Sequence, residues 1–235
     1  MNYIILNGEH SELINGLLIQ TLPSIIKPPM RTQIDEIDGK DGDIVTFLGY
    51  SAYDKDFQIG LYGDYDIDEV ISYFNSYGTV TFSNEDDKLY KYIIKDQIDF
   101  EKLIRFKTAT VTMHVQPFKF SVFDKQKSFI FEPEAPQYFE IRNDGNVYSK
   151  PKLTIHGSGT INLNLNGNQM FVIELGDEES ITIDVEETEA YKDGILKNRL
   201  VNGDYDNFVL DIGKNEISFS GDVNRIDIEN YSRWI

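Results

Sequence analysis

Short runs in which apolar and polar residues alternate restrict the fold of this chain more than any other feature of its sequence. In "TATVTMHV" the side chains of Ala109, Val111 and Met113 share one face of an extended strand, and the threonines between them share the other. This period of two is the pattern of a half-buried β-strand. The same alternation recurs in the runs 161–165, 181–185 and 226–229. The sequence therefore predicts a mainly β protein built of sandwiches.

The composition narrows the class of protein further. The chain has 14 Tyr and 15 Phe residues, which favour strands over a helical bundle, and no cysteine, which excludes disulfides, thiolate metal sites and cysteine nucleophiles. No apolar run approaches the roughly 18 residues that a membrane span needs, and the N-terminus lacks the pattern of an export signal. A net charge of −18 argues against direct binding of nucleic acid through its phosphates. We expect a soluble protein without membrane or nucleic-acid contacts.

One segment departs from the strand period. In "DIDEVISYFNSYG" the apolar residues fall at helical spacing behind an acidic first turn, which predicts a single amphipathic helix from about Ile67 to Tyr77. The following "GTVTFSNEDDKLYKYIIK" contains two strand-like runs around a polar turn near Asn84 to Lys88. This second pattern predicts a β-hairpin.

A proline-containing acidic segment divides the chain. "FEPEAPQ", residues 131–137, has no periodicity and is the best candidate for a linker. We therefore predict two domains, 1–132 and 133–235. The first is predicted to be a β-sandwich with one α-helix and a β-hairpin, and the second to be another β-sandwich.

The histidines do not form a recognisable chemical site. His10, His114 and His156 show none of the spacings of metal-ligand pairs, so the sequence predicts neither a metal site nor a cofactor. His156 directly precedes the turn-like "GSG", where a turn residue is more common than a catalytic base.

Acidic residues are also more typical of turns and helix caps here than of a site. Asp64, Asp66 and Asp68 match the first ligands of a calcium loop, but Glu69 stands where that loop needs glycine. A pair of glycosidase carboxylates among the 40 acidic residues stays open, whereas nucleophile motifs such as G-x-S-x-G are absent from the sequence. The only tryptophan, Trp234, is more typical of packing under a terminal strand than of stacking on a sugar.

Several longer segments together resemble one known family. These are "GLLIQTLPSIIKPPMR" with the following "IDGKDGD", then "VQPFKF", and finally the module from "NDGNVYSKP" to "RW". In this combination the chain resembles the distal tail proteins of siphophages that infect Gram-positive bacteria, over essentially its full length.

The resemblance implies a structural role and no enzymatic activity. The N-terminal domain would form a homohexameric ring at the distal end of the phage tail in the virion, after synthesis in the bacterial host cytoplasm. The ring would join the tail tube protein to the tail-associated hub or lysin protein, and receptor-binding or other baseplate proteins would dock on it. The second domain would be a galectin-like β-sandwich, in which His156 lacks the arginine and asparagine neighbours of a sugar site.

The candidate interface for the ring lies in the polar-poor segment "GLLIQTLPSIIKPPMR". It contains more apolar side chains than one short strand needs for its own core. The candidate interface residues are Leu17, Leu18, Ile19, Leu22, Ile25, Ile26 and Arg31. The alternative function is a carbohydrate-binding β-sandwich module for adhesion to the host cell wall.

Overall fold

The structure is a computed structural model that describes residues 1–74, 76–124, 126–132, 136–176 and 179–235. The described chain divides into two compact units, Met1–Val122 together with Ile235, and Phe123–Trp234. The predicted domain boundary, between residues 132 and 133, falls within the second of these units, and residues 133–135 of the predicted linker lie outside the described residues. Among the described helices, none is long and apolar enough to cross a membrane.

The first unit is built on one antiparallel sheet. Its strands are β1 (Ile4–Leu6), β2 (Glu9–His10), β3 (Leu17–Ile19), β4 (Met30–Glu36), β5 (Asp43–Tyr50), β6 (Tyr53–Leu61), β7 (Tyr77–Phe82), β8 (Lys88–Ile93) and β9 (Thr108–Ser121), and its helices are α1 (Ile67–Tyr73) and α2 (Phe100–Phe106). The strands of the sheet follow the order β2-β1-β7-β8-β9-β6-β3. Within the described residues, strands β4 and β5 pair only with each other, so they form a separate hairpin.

The alternation of the sequence creates the core of this unit. Val111 and Met113 of β9 are fully buried, and β9 pairs with β6, where Phe57 and Ile59 also point inward. The predicted hairpin is confirmed, because β7 and β8 pair antiparallel with Val80 opposite Tyr90. Inward-facing aromatic side chains of β6, β7 and β8 thus pack in the same apolar core as the aliphatic side chains of β9.

The helix prediction is correct at its start and wrong at its end. Asp66 caps α1 through its side chain, which accepts a hydrogen bond from the Asp68 amide at 2.9 Å. The helix stops at Tyr73, since Tyr77 begins β7 and its neighbours pair with β8. The prediction of a single helix is also wrong, because the described residues include α2, whose Leu103 is fully buried.

The described residues of the second unit form strands and one 3₁₀ turn, Asn198–Leu200. Its strands are β10 (Lys127–Ile130), β11 (Tyr138–Asn143), β12 (Lys152–Leu165), β13 (Asn168–Glu174), β14 (Ser180–Asp184), β15 (Glu189–Lys192), β16 (Ile195–Leu196), β17 (Val201–Gly203), β18 (Gly213–Glu229) and β19 (Arg233–Trp234). The main path of the sheet is β10-β18-β12-β14-β15-β16, with β11 also on β18, β13 on β12, and β17 on β13. The mainly β, sandwich-type fold class is confirmed.

Two long strands, β12 and β18, organise this unit. They run beside each other from Lys152 opposite Glu229 to Leu165 opposite Ile217, with register shifts after His156 and Ser158. The shifts let the first half of β12 pair with β14 and the second half pair with β13. The "HGSG" run is therefore an irregular bend inside a strand, where a Cβ atom on Gly157 would lie 2.0 Å from the Asp222 carbonyl oxygen.

Candidate functional site

The structure separates the predicted interface residues into two groups. Leu17 and Ile19 are buried in β3, in the core of the first unit, where Leu18 is half-buried and Leu22 packs against the same core. Ile25 and Ile26, by contrast, have 57% and 46% of their surface exposed, and Arg31 is exposed at the start of β4. The apolar side chains of β3 thus serve the fold of the unit itself, and an outward-facing apolar surface begins after them.

This surface continues along the β4–β5 hairpin, residues 30–50, which we call the arm. Its register places Ile34 opposite Val45 and Thr32 opposite Phe47, with a bulge after Arg31. The large apolar side chains of the arm are between 39% and 60% exposed. They are Met30, Ile34, Ile37, Ile44, Val45, Phe47 and Leu48.

An arm of this kind has too little packing of its own. A two-stranded hairpin is marginally stable in water, and it needs a third strand or another surface to bury its apolar face. Both strands of the arm are exposed along nearly their full length. Contiguous exposed apolar surface on this scale is typical of a contact with another protein.

The arm is joined to β3 by residues 20–29, which we call the arm root. The root lies outside the sheets, and side chains of the first unit hold its carbonyl groups. Lys55 Nζ donates to the Ser24 oxygen at 2.9 Å, and Asn84 Nδ2 donates to the Pro23 oxygen at 2.9 Å. At the end of the arm, the Ser51 amide donates to the Pro29 oxygen at 2.8 Å.

The lysine that holds the root belongs to a buried charged cluster. Lys119 Nζ lies 2.8 Å from Glu85 Oε1, and the Tyr90 hydroxyl donates to the other oxygen of the same carboxylate. Burial lowers the pKa of Lys55 to about 8, with Glu85 opposing this effect and Lys119 adding to it. Burial is the main cause that raises the pKa of Tyr53 to about 12, and the negative charge of Glu85 adds to this effect.

In the second unit the structure joins the two ends of the "NDGNVYSKP" to "RW" module. The buried side chain of Asn143 donates to the Val147 carbonyl oxygen at 2.8 Å and also contacts the Arg233 backbone. Arg233 is buried too, and its Nε donates to the Tyr148 oxygen at 2.9 Å while the guanidinium lies over the Tyr148 ring. These two motifs form one structural joint.

The same unit brings His156 to residues that the sequence analysis did not connect with it. Its Nε2 lies 2.7 Å from Arg225 Nη2 and 3.1 Å from Asp227 Oδ2. The expectation that His156 has no arginine neighbour is therefore wrong, because β12 and β18 place Arg225 directly opposite it. Within the described parts of the chain, no group of three or more His, Asp or Glu residues is arranged to hold a metal ion.

The other two histidines make local contacts in the first unit. His10 Nδ1 accepts from the Glu12 amide at 3.2 Å and caps a short 3₁₀ turn. His114 Nδ1 lies 2.5 Å from Asp54 Oδ1, and this hydrogen bond is the main cause that lowers the pKa of the Asp54 carboxyl.

Comparison with known proteins identifies the fold. No family model matches the sequence, and no curated protein matches it. Nine chains of solved structures match, including three that match over nearly the full length of both chains. The crystal structure of the SPP1 Dit (gp 19.1) protein, described as a paradigm of hub adsorption apparatus in Gram-positive infecting phages, matches with a TM-score of 0.66 and 11% identity over 100% of each chain.

The other two are structures of the phage P2 baseplate in its activated conformation. The structure with Ca matches with a TM-score of 0.51 and 11% identity over 98% of each chain. The structure with Sr matches with a TM-score of 0.50 and 12% identity, over 97% of this chain and 96% of the other. The resemblance predicted from the sequence is thus confirmed in three dimensions, and this chain has the fold of the SPP1 distal tail protein.

Proposed function

We propose that this protein is the structural hub of a phage tail tip or baseplate. It forms a homohexameric ring that joins the tail tube to the tail-associated hub protein and docks receptor-binding proteins. The full-length likeness to a hub protein and to baseplate structures supports the baseplate role. The exposed arm is the observation that carries the assembly part of the proposal.

The arm suits a contact between copies of the same chain. A ring requires a heterologous interface, in which one patch of each subunit covers a different patch of the next. Such an interface takes roughly 20–30 residues from each side. The arm and its root together provide a segment of about this size, and Ile25, Ile26 and Arg31 lie on its exposed surface.

The charge of the chain suits the same role. A net charge of −18 repels the phosphates of DNA, so a ring of these subunits would let DNA pass without holding it. The proposal accordingly includes no nucleic-acid binding, no cofactor and no catalysis. Purified protein is expected to release no reducing sugar from cell-wall glycans, and release that disappears on mutation of one carboxylate would contradict this.

Introducing a charged side chain into the apolar surface of the arm tests the assembly. Phe47→Asp places a carboxylate in the exposed apolar surface of β5, and Thr46→Asp places the same charge at the neighbouring exposed polar position. Light scattering after size exclusion should show a six-membered species for the wild type and for Thr46→Asp, and smaller species for Phe47→Asp. A wild-type chain that stays monomeric at high concentration and in the tail itself would refute the ring.

Carbohydrate binding by the second unit is a second candidate, favoured by one observation. Arg225 and His156 form a polar cluster on the exposed face of β12 and β18, with Asp227 beneath them. Titration calorimetry with host cell-wall polysaccharide would detect binding, and Arg225→Ala should then abolish it. If no heat of binding is measured at millimolar saccharide, carbohydrate binding is excluded and the hub function is the one that stands.

A further inference from the structure

A lysine occupies a position in β6 where the strand pattern calls for an apolar residue. Tyr53, Lys55 and Phe57 point to the same side of the strand, into the core, and the residues between them are exposed. Only 2% of Lys55 is exposed. Burial of a charged group is unfavourable unless other groups compensate it, so a lysine at this position breaks a local rule of folding.

The nearby Glu85 favours the charged form of Lys55, but its oxygens bind other groups. Glu85 is hydrogen-bonded by Lys119 and by Tyr90, so the cluster holds two ammonium groups for one carboxylate. Lys55 Nζ lies 4.9 Å from the centroid of the Tyr90 ring and 5.7 Å from that of the Phe82 ring, close enough for cation–π attraction. Its direct hydrogen bond is to the arm root, at the Ser24 oxygen.

The arm root depends on such side-chain donors. It contains Pro23, Pro28 and Pro29, which have no backbone N–H group, and it pairs with no strand between residues 22 and 29. The adjacent carbonyl groups of Pro23 and Ser24 are each held by one side chain, from Asn84 and Lys55 respectively. Of these two hydrogen bonds, the one from Lys55 is charge-assisted and therefore the stronger.

We infer that Lys55 is a positioning residue for the arm: it ties the root to the first unit at Ser24 and so sets where the arm begins. The importance of the arm for assembly rests on the proposed function, whereas the tie itself does not. This role accounts for a buried charge that the core of the unit does not need.

Replacing Lys55 should affect the stability of the first unit and the positioning of the arm root in opposite directions. Burial lowers the pKa of Lys55, which means that its charge opposes folding, so Lys55→Met should leave the unfolding midpoint of the first unit unchanged or higher. The root should nevertheless become more mobile. Lys119→Met is the matched control, because it removes the other buried lysine and leaves Glu85 without its ion pair, and it should lower the unfolding midpoint.

Two measurements on the full-length chain follow the root. Thermolysin cleaves before isoleucine, and the exposed Ile25 and Ile26 lie in the root. Cleavage there should be about tenfold faster in Lys55→Met than in the wild type, the factor expected when a hydrogen bond to a charged group is lost. Because the chain has no cysteine, a nitroxide on Ile26→Cys is a unique label, and its spectrum should show a larger mobile fraction in Lys55→Met.

The conservative variant and the control decide the result. Lys55→Arg keeps a charged donor and should restore slow cleavage. If Lys55→Met cleaves at the wild-type rate, or if Lys119→Met cleaves equally fast at the root, the inference is overturned. A wild-type chain that does not assemble would contradict the proposed function alone, since the cleavage comparison requires no ring.

Discussion

Replacing Asn143 with alanine removes four hydrogen bonds from the interior of the second unit. Asn143 is fully buried, and its Nδ2 donates to the Val147 oxygen at 2.8 Å and to the Leu210 oxygen at 3.1 Å. Its Oδ1 accepts from the Gly145 amide at 2.9 Å and from the Arg233 amide at 3.4 Å. One side chain thus connects three segments that are far apart in the sequence.

The cost of this substitution follows from those contacts. A hydrogen bond contributes about 1 kcal/mol net, and a buried group left without its partner costs about 1–3 kcal/mol. The Leu210 oxygen keeps a second partner, the Ser149 amide, so losing the hydrogen bond from Asn143 to this oxygen costs the least free energy. We therefore expect Asn143→Ala to lower the free energy of unfolding of the second unit by about 3–4 kcal/mol, a large part of the roughly 5–15 kcal/mol of a typical domain.

Urea unfolding followed by amide hydrogen exchange within β12 and β18 measures this change. Strands β12 and β18, whose Ile155 and Ile226 are fully buried, lie in the second unit, so the exchange of their amides reports on that unit. With an m-value of about 1.5–2 kcal/mol/M, the midpoint should fall by about 2 M. Asn162→Ala is the control, since its amide bonds the Ser220 hydroxyl on an exposed face, and it should change the free energy by less than about 0.5 kcal/mol.

Asn143→Asp separates the hydrogen bonds from the shape of the side chain. The carboxylate keeps both acceptor contacts but turns an oxygen towards the two carbonyl groups that the amide served. Burial would raise the pKa of this new carboxyl, so stability should be lost as the pH rises through that value and partly regained in acid. An Asn143→Ala free energy of unfolding within about 1 kcal/mol of the wild-type value would refute the reasoning.

Three further outcomes are expected. Gly145→Ala should lower the thermal midpoint of the second unit, because its Cβ would lie 1.8 Å from the Arg233 carbonyl oxygen; an unchanged midpoint would show that the backbone moves freely there. Between pH 8 and 10 an unfolded Lys55 binds more protons than the folded one, so the free energy of unfolding of the first unit should rise by about 2 kcal/mol, measured by circular dichroism, and Lys55→Met should lack this rise. Deletion of Tyr231–Ile235 removes the Arg233 contacts with Tyr148 and Glu186 and should speed amide exchange near Ser149. An exchange rate equal to that of the wild type would show that these contacts do not hold the two motifs together.

Local patterns in the sequence were sufficient for the elements that neighbours in the chain create. The alternation in 108–115 predicts β9 correctly, and Asp66 with the acidic first turn predicts where α1 begins. The β7–β8 hairpin also follows from its own residues, because its strands and turn are contiguous. In each case the partners lie within a few residues or one tight turn, so pattern and contact coincide.

Sequence patterns were misleading where a distant segment decides. Tyr77 fits the helical spacing of α1, yet it belongs to β7 because strand pairing with β1 and β8 satisfies more of that backbone. Leu17 and Ile19 were predicted as interface residues from their local pattern, whereas the pairing of β3 with β6 places both side chains in the core of their own unit. The arm carried a sequence signal, two Asp-Gly pairs between strand-like runs, although only its lack of any third strand shows that its apolar residues stay exposed.

The tertiary structure alone places together residues that no local pattern relates. "NDGNVYSKP" and "RW" are recognisable in the sequence, but the long path through β12 and β18 is what brings Asn143 to Arg233. The same two strands set Arg225 beside His156, and the packing of β6 against the arm root buries Lys55 under Ser24. The alternation of apolar and polar residues in the sequence predicts which side of a strand a residue faces. The residues that it contacts on that side depend on strand pairing between segments far apart in the chain.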